Sequence, residues 1–248
     1  MRTCAKTDIG QKRLINQDYI FSSEEPVGCC PNLFVVADGM GGEKAGDYAS
    51  RFAVETLLTY IQNSEETSPV GVLEEGIRYV NYKLHMQAMQ DWTLAGMGTT
   101  LVAAVQEGRF LYVANVGDSR LYLIRGQNIK QITRDHSYVE EMVSKGFMVR
   151  GSEAYMARKN MITRAVGAEN RIDIDFFEVE LCEGDTVLLC SDGLTNMLTD
   201  VQICSIISSA RTIPEKADLL IQQANENGGN DNISVILSMP RIDEVASC

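Results

Sequence analysis

Three apolar runs in this sequence end in an aspartate: Phe34-Val35-Val36-Ala37-Asp38-Gly39, Val113-Ala114-Asn115-Val116-Gly117-Asp118 and Val187-Leu188-Leu189-Cys190-Ser191-Asp192-Gly193. A further case is inverted, with Asn230-Asp231-Asn232 ahead of Ile233-Ser234-Val235-Ile236-Leu237, and Asp18 likewise precedes Tyr19-Ile20-Phe21. A single Asp-Gly step usually just starts a turn. If these runs are antiparallel strands, however, Asp18, Asp38, Asp118, Asp192 and Asp231 share one rim. Carboxylates gathered there would repel one another unless a multivalent cation neutralised them. The donors are all oxygens, which suits Mg²⁺ or Mn²⁺ and not a soft-ligand zinc site. Gly39 and Gly193 are expected to let the backbone approach the cation, with a carbonyl as a further ligand.

The elements that must position this rim can be read from periodicity. Ala45, Ala49, Phe52, Ala53, Leu57 and Ile61 recur at helical spacing and predict a helix over about 44–61. Leu73, Ile77, Val80, Leu84 and Ala88 predict a second, after a polar connector over 63–69. Pro214 opens a third, which Gly228-Gly229 stops. Strands are expected at 18–22, 33–37, 99–105, 110–116, 121–124, 174–180, 186–190 and 233–237. Short turns such as Gln106-Glu107-Gly108-Arg109 make the sheets largely antiparallel. Helix pairs and many antiparallel strands imply a layered α+β fold, two sheets face to face with helices outside. Residues 147–163 follow neither period and are read as a flap beside the site, or as an ordinary surface loop.

Composition narrows the function. With 248 residues and 45% hydrophobic content, the chain suits one core, hence one domain over 1–240 and a loose tail over 241–248. A net charge of −12 argues against nucleic acid and anionic membrane partners. The seven cysteines show no C-x-x-C spacing, and neither a secretory signal nor a membrane span is evident, so a reducing cytoplasm is expected.

Taken in order, Thr7-Asp8-Ile9-Gly10-Gln11-Lys12-Arg13-Leu14-Ile15-Asn16-Gln17-Asp18, Asp38-Gly39-Met40-Gly41-Gly42, Gly98-Thr99-Thr100, Val116-Gly117-Asp118-Ser119-Arg120, Ser191-Asp192-Gly193-Leu194 and Gly229-Asn230-Asp231-Asn232 resemble the type 2C (PPM) family of metal-dependent protein phosphatases, most closely its bacterial members. The resemblance spans about residues 3–238 and implies a four-layer αββα sandwich and hydrolysis of phosphoserine and phosphothreonine by a metal-bridging water or hydroxide. It further implies two Mn²⁺ or Mg²⁺ ions. Asp38 would bridge them, the Gly39 carbonyl would serve one, and Asp192 and Asp231 the other, with Asp18 binding directly or through water. Asp118 with Asp192 would serve a weaker third site. Arg13 matches the arginine that grips the substrate phosphate, against the plainer reading of a surface ion pair. The implied partners are a serine/threonine kinase and its substrates in a signalling cycle.

Where many eukaryotic relatives carry a histidine acid, this chain has Met40, which has no proton to donate. His136 is the other histidine donor to consider, with a structural role favoured, and His85 falls in a helical stripe. A cysteine phosphatase is excluded because no cysteine is followed six residues on by arginine. Gly39-Met40-Gly41-Gly42-Glu43-Lys44 has the wrong spacing for a nucleotide-binding P-loop. The rival from another class is a catalytically silent phosphatase fold kept for protein binding, but its mark would be lost ligands.

Overall fold

The structure is a computed structural model and describes residues 2–42 and 45–240; the expected tail over 241–248 lies outside the described residues. The elements in chain order are β1 (Arg2–Asp8), β2 (Asp18–Ser23), β3 (Leu33–Met40), α1 (Ala45–Asn63), α2 (Pro69–Gln90), β4 (Gly98–Thr99), β5 (Leu101–Glu107), β6 (Phe110–Val116), β7 (Arg120–Arg125), β8 (Asn128–Gln131), α3 (Tyr138–Ser144), α4 (Glu153–Met156), β9 (Asp175–Glu180), β10 (Thr186–Cys190), α5 (Asp192–Thr195), α6 (Asp200–Ile207), α7 (Ile213–Glu226) and β11 (Ile233–Met239).

One sheet has the order β1-β11-β10-β7-β8 and the other β2-β3-β5-β6-β9, with β4 hydrogen-bonded to β3. Every named pair is antiparallel. Central strands here read as unbroken apolar runs because both of their faces are buried. In β3, Leu33, Val35 and Ala37 face α1 and α2, while Phe34 and Val36 join the layer between the sheets. In β10, Leu188 and Cys190 face α5–α7, while Val187 and Leu189 turn to the inter-sheet layer. The result is three apolar layers between four slabs of structure, the αββα sandwich.

The three predicted helices are present. Pro69, expected in the connector, is instead the first residue of α2, where its missing N–H costs nothing and Ser68 caps the helix. Thr212 and Glu215 form the capping box that starts α7. Strands β1 and β8 and helices α3–α6 have no counterpart among the expected elements. β1 is an edge strand with alternating exposed and half-buried residues, so its composition is mostly polar. The segment 147–163, which showed no period, folds as turns around the single short turn of α4.

Candidate active site

Register places the first two carboxylates. Asp18 opens β2 directly opposite Asp38 in β3. Both lie in phase with Ile20, Phe34 and Val36, which fill the inter-sheet layer. The two acids therefore cap one end of that layer. Across the seam, β10 ends at Cys190 and the chain turns into α5 with Asp192 as its first residue. β11 begins two residues after Asp231 and pairs antiparallel with β10, so Asp192 and Asp231 meet at the same end. Asp118 follows β6 after Gly117, whose φ of 102° turns the chain toward the seam.

A set of buried polar groups holds these residues, and single-sequence reasoning did not single them out. The Ser191 hydroxyl donates to Asp18 Oδ2 at 2.7 Å and accepts the Ser234 N–H at 3.0 Å. Thr100 accepts the Asp38 N–H at 2.9 Å and shares a 2.7 Å hydrogen bond with Ser119, while Thr99 donates to the Asp38 carbonyl. Asn196 donates to Asp192 Oδ2 at 2.8 Å. Asn232, 2% exposed, donates to the carbonyls of Ile9 and Ile15 and accepts the Gln17 N–H, so it pins the loop that carries Arg13. Apart from Asn196, four residues after Asp192, these contacts have no local sequence signal: Asn232 and Gln17, for example, are 215 residues apart.

The two glycines also permit close backbone packing. A Cβ on Gly39 would collide with the Gly46 carbonyl oxygen, and one on Gly193 with the Asn232 carbonyl oxygen. They bring main chain against main chain: Gly39 seats the start of α1, and Gly193 seats the Asp192 turn against Asp231 and Asn232. Arg13 is half-exposed, and one guanidinium nitrogen lies 2.7 Å from Asp231 Oδ2. The alternative weighed for it, an ion pair, is thus present, and the rest of its planar fork is available to a ligand.

Electrostatics mark the rim as overcharged. Burial, followed by repulsion from Asp18, Asp192, Asp118 and Asp231, drives Asp38 well above the usual carboxylate range. Burial, opposed by hydrogen bonds from Ser191 and Ser234, lifts Asp18 to about 7. Burial and then Asp192 lift Asp118 to about 8. Asp192 rises to about 6 through burial and Asp231, against the hydrogen bond from Asn196 and the charges of Lys159 and Arg120. Asp18 Oδ1, Asp118 Oδ1 and Asp192 Oδ1 are buried without a hydrogen-bond partner. Buried carboxylate oxygens are rarely left so. Among the described residues, no three acid, imidazole or thiol side chains are already drawn into a closed metal cage.

His136 is 6% exposed and both of its ring nitrogens are engaged. Nδ1 accepts the Gly117 N–H at 3.1 Å, and Nε2 lies 3.2 Å from Asp175 Oδ2. With burial the leading cause, its pKa is lowered. It braces the turn that carries Asp118. His85 lies on α2 with Nδ1 3.3 Å from the Gly167 carbonyl, away from the carboxylates. The segment 147–163 reaches the rim: Tyr155, Met156, Lys159 and Asn160 line a cavity of about 210 Å³ together with Asp118 and Asp192.

Two antiparallel sheets between helices, with clustered aspartates at one end of the seam, form the architecture of a known enzyme class, and residues 9–238 match the family described as protein phosphatase 2C. The chain belongs to that family. It is 40% identical over 240 residues to the serine/threonine phosphatase stp of Listeria innocua, covering 94% of this chain and 93% of the relative. It is also 40% identical over 235 residues to the protein phosphatase PhpP of Streptococcus pneumoniae, covering 93% and 94%. Among solved structures, the serine/threonine phosphatase Stp1 of Staphylococcus aureus is similar with a TM-score of 0.89 at 33% identity, over 96% of this chain and 94% of that one.

Proposed function

We propose that this serine/threonine protein phosphatase of the 2C type is metal-dependent and cleaves phosphoserine and phosphothreonine by direct attack of water, without a phosphoenzyme. The observation that carries the reading is the group of buried, partnerless oxygens on Asp18, Asp118 and Asp192 at one rim, beside Asp38 and Asp231. Oxygen donors in acidic excess suit Mn²⁺ or Mg²⁺. Asp38 would be shared by two ions, with the Gly39 carbonyl, Asp192, Asp231 and Asp18 completing their holders, and Asp118 with Asp192 would hold a weaker third. When bound, such ions supply Lewis-acid chemistry that makes water a nucleophile near neutral pH.

The chain's own groups do the remaining work. Arg13 turns the free part of its fork to the phosphoryl oxygens and fixes their orientation, while Asn232 holds its loop in place. Ser191 and Asn196 hold the carboxylates of Asp18 and Asp192, while Thr99 and Thr100 fix the main chain of Asp38. Met40 gives no proton, and His136 has both nitrogens committed, so the leaving alkoxide takes its proton from water and not from a histidine. The reading of a silent binding module is disfavoured because all five carboxylates and Arg13 stand in place.

A phosphoprotein substrate implies a kinase that made it, so the partners are a serine/threonine kinase and its substrates within a signalling cycle. Among the described residues six cysteines are free thiols, which supports a reducing, cytoplasmic location. No described helix is long and apolar enough to cross a membrane. The test is phosphate release from an aryl phosphate and from a phosphothreonine peptide, with Mn²⁺ and with EDTA. Turnover that persists unchanged under EDTA would sink the metal reading.

A further inference from the structure

One sizeable cavity lies apart from the carboxylate rim. It is an open groove of about 990 Å³ between the second half of α1 and the first half of α2. Phe52, Tyr60 and Tyr79 supply aromatic surface to it, and Glu55, Glu65, Glu66 and Glu75 line it, with no lysine, arginine or histidine among the described lining residues. Along α2 an apolar stripe continues from it: Tyr79 is 40% exposed, Tyr82 50%, Met86 36% and Met89 74%, and Trp92 just beyond the helix is 86% exposed. Steps of three and four residues keep this stripe on one helical face. Contiguous exposed apolar surface of this kind marks an interaction site more often than chance.

The occupant can be argued from charge. The Tyr79 ring already takes the Lys83 ammonium at 5.3 Å from its centroid, so this face accepts cations. A second copy of a chain with a net charge of −12 would bring like charge to four glutamates. Anionic lipid and nucleic acid are disfavoured for the same reason. We propose that the groove and the α2 stripe together form a docking surface for a lysine- or arginine-rich amphipathic segment of a partner protein. Its apolar side chains lie on Tyr79, Tyr82, Met86 and Met89, and its cations meet Glu55, Glu65 and Glu75. Gly46 packs against Gly39 at the rim, and Tyr60 follows 14 residues later on the same helix. At about 1.5 Å per residue the groove therefore begins roughly 9 Å along α1 from Gly46, at Phe52, and reaches roughly 20 Å at Tyr60. A protein can be held there while its phosphorylated residue reaches the rim. The inference needs only the fold and the surface, not the metal reading.

The test is calorimetric titration of the full chain with a synthetic, phosphate-free peptide of lysine and leucine at low salt. Saturable binding is expected, weakened at least about tenfold in Glu55→Gln/Glu65→Gln/Glu75→Gln and in Tyr79→Ser/Met89→Ser, the scale of one or two lost charge-assisted or buried contacts. Aryl phosphate turnover should be equal in all three proteins, which separates loss of docking from loss of folding or catalysis. Hydrogen exchange on the unaltered protein provides an arm independent of the variants: the peptide should slow exchange in the groove and stripe. No saturable binding, equal affinity in the variants, or protection confined to the aspartate rim would each overturn the proposal. So would a concentration-dependent dimer that Tyr79→Ser/Met89→Ser abolishes, because it would assign the surface to a second copy.

Discussion

The two sides of the aspartate rim are built differently. On one side Asp18 and Asp38 are residues of paired strands, and Asp231 lies two residues before another strand. All three are fixed by register and backed by Ser191, Thr100 and Asn232. On the other side Asp118 lies in a turn after Gly117, and that turn is braced by His136 and borders a cavity that Tyr155 and Lys159 also line. Groups fixed by strand register tolerate little change, whereas groups on turns can be tuned with the loop that covers them. On the proposed function, this difference predicts chemistry on the strand side and substrate selection, with adjustment of rate, on the turn side.

The largest effect should come from Asp192→Asn, which touches both sides. On the proposed reading Asp192 is a shared ligand, and a neutral amide there weakens cation binding and leaves Asp231 and Asp118 less compensated, so kcat should fall by about two orders of magnitude or more. Near-normal turnover at saturating Mn²⁺ would break the comparison at its centre. Arg13→Ala comes next, on the strand side. Charge-assisted hydrogen bonds of about 1.5–3 kcal/mol each predict a KM raised roughly ten- to a hundredfold, with Arg13→Lys in between. Its half-exposed ion pair with Asp231 is worth little, so Mn²⁺ titrations of the three proteins should superimpose. An unchanged KM would leave Arg13 as a partner of Asp231 only.

Effects on the turn side should be smaller. Asp118→Asn is expected to keep two tightly held ions and lower turnover modestly; Mn²⁺-soaked crystals that retained a full third ion would contradict that placement. Replacing 147–163 with a short glycine linker should alter preference among phosphopeptides more than aryl phosphate hydrolysis. Because Tyr155 and Lys159 reach the cavity of Asp118 and Asp192, some loss of aryl phosphate turnover is expected too, and loss equal on both substrates would merge the two sides into one unit.

The smallest effect is one of stability. The folded-state values of Asp192, Asp18 and Asp118, about 6, 7 and 8, lie above those of an unfolded aspartate near 3.9. The folded chain thus binds more protons than the unfolded one across that window. The stabilisation is fully present below about pH 4 and is lost as pH rises through about 6 to 8. EDTA-stripped protein should therefore lose several degrees of Tm between about pH 5.5 and 8.5, and Mn²⁺ should flatten the slope. A stripped protein with a flat profile would mean that the acids are less crowded than the geometry implies.

Much of the strand side was legible in the sequence. Strands buried on both faces give uninterrupted apolar runs, and their terminal aspartates stand out against them. The turn side was less legible: α3 and α4 are too short to show a period, and Lys159 gained meaning only when packing brought it near Asp192. Asn232 and Ser191 were visible only as motif letters, because what they bind is distant along the chain. Gly39 and Gly193 stood out as special positions, but the groups pressed against them are backbone carbonyls, which no spacing reveals.

Strand β11 enters the middle of its sheet, between β1 and β10, with Asp8 opposite Ile233 and Arg2 opposite Met239. Synthesis proceeds from the amino end, so β1 and β10 emerge from the ribosome with a gap between them where a strand must later lie. Until residues 231–239 follow, Asp231 and Asn232 are missing, the Arg13 loop has no anchor and two sheet edges lie open. A chain in which residues 231–239 have yet to take their place is therefore expected to be inactive. The same gap is the place where a chaperone, or a stray strand from another chain, would first find purchase.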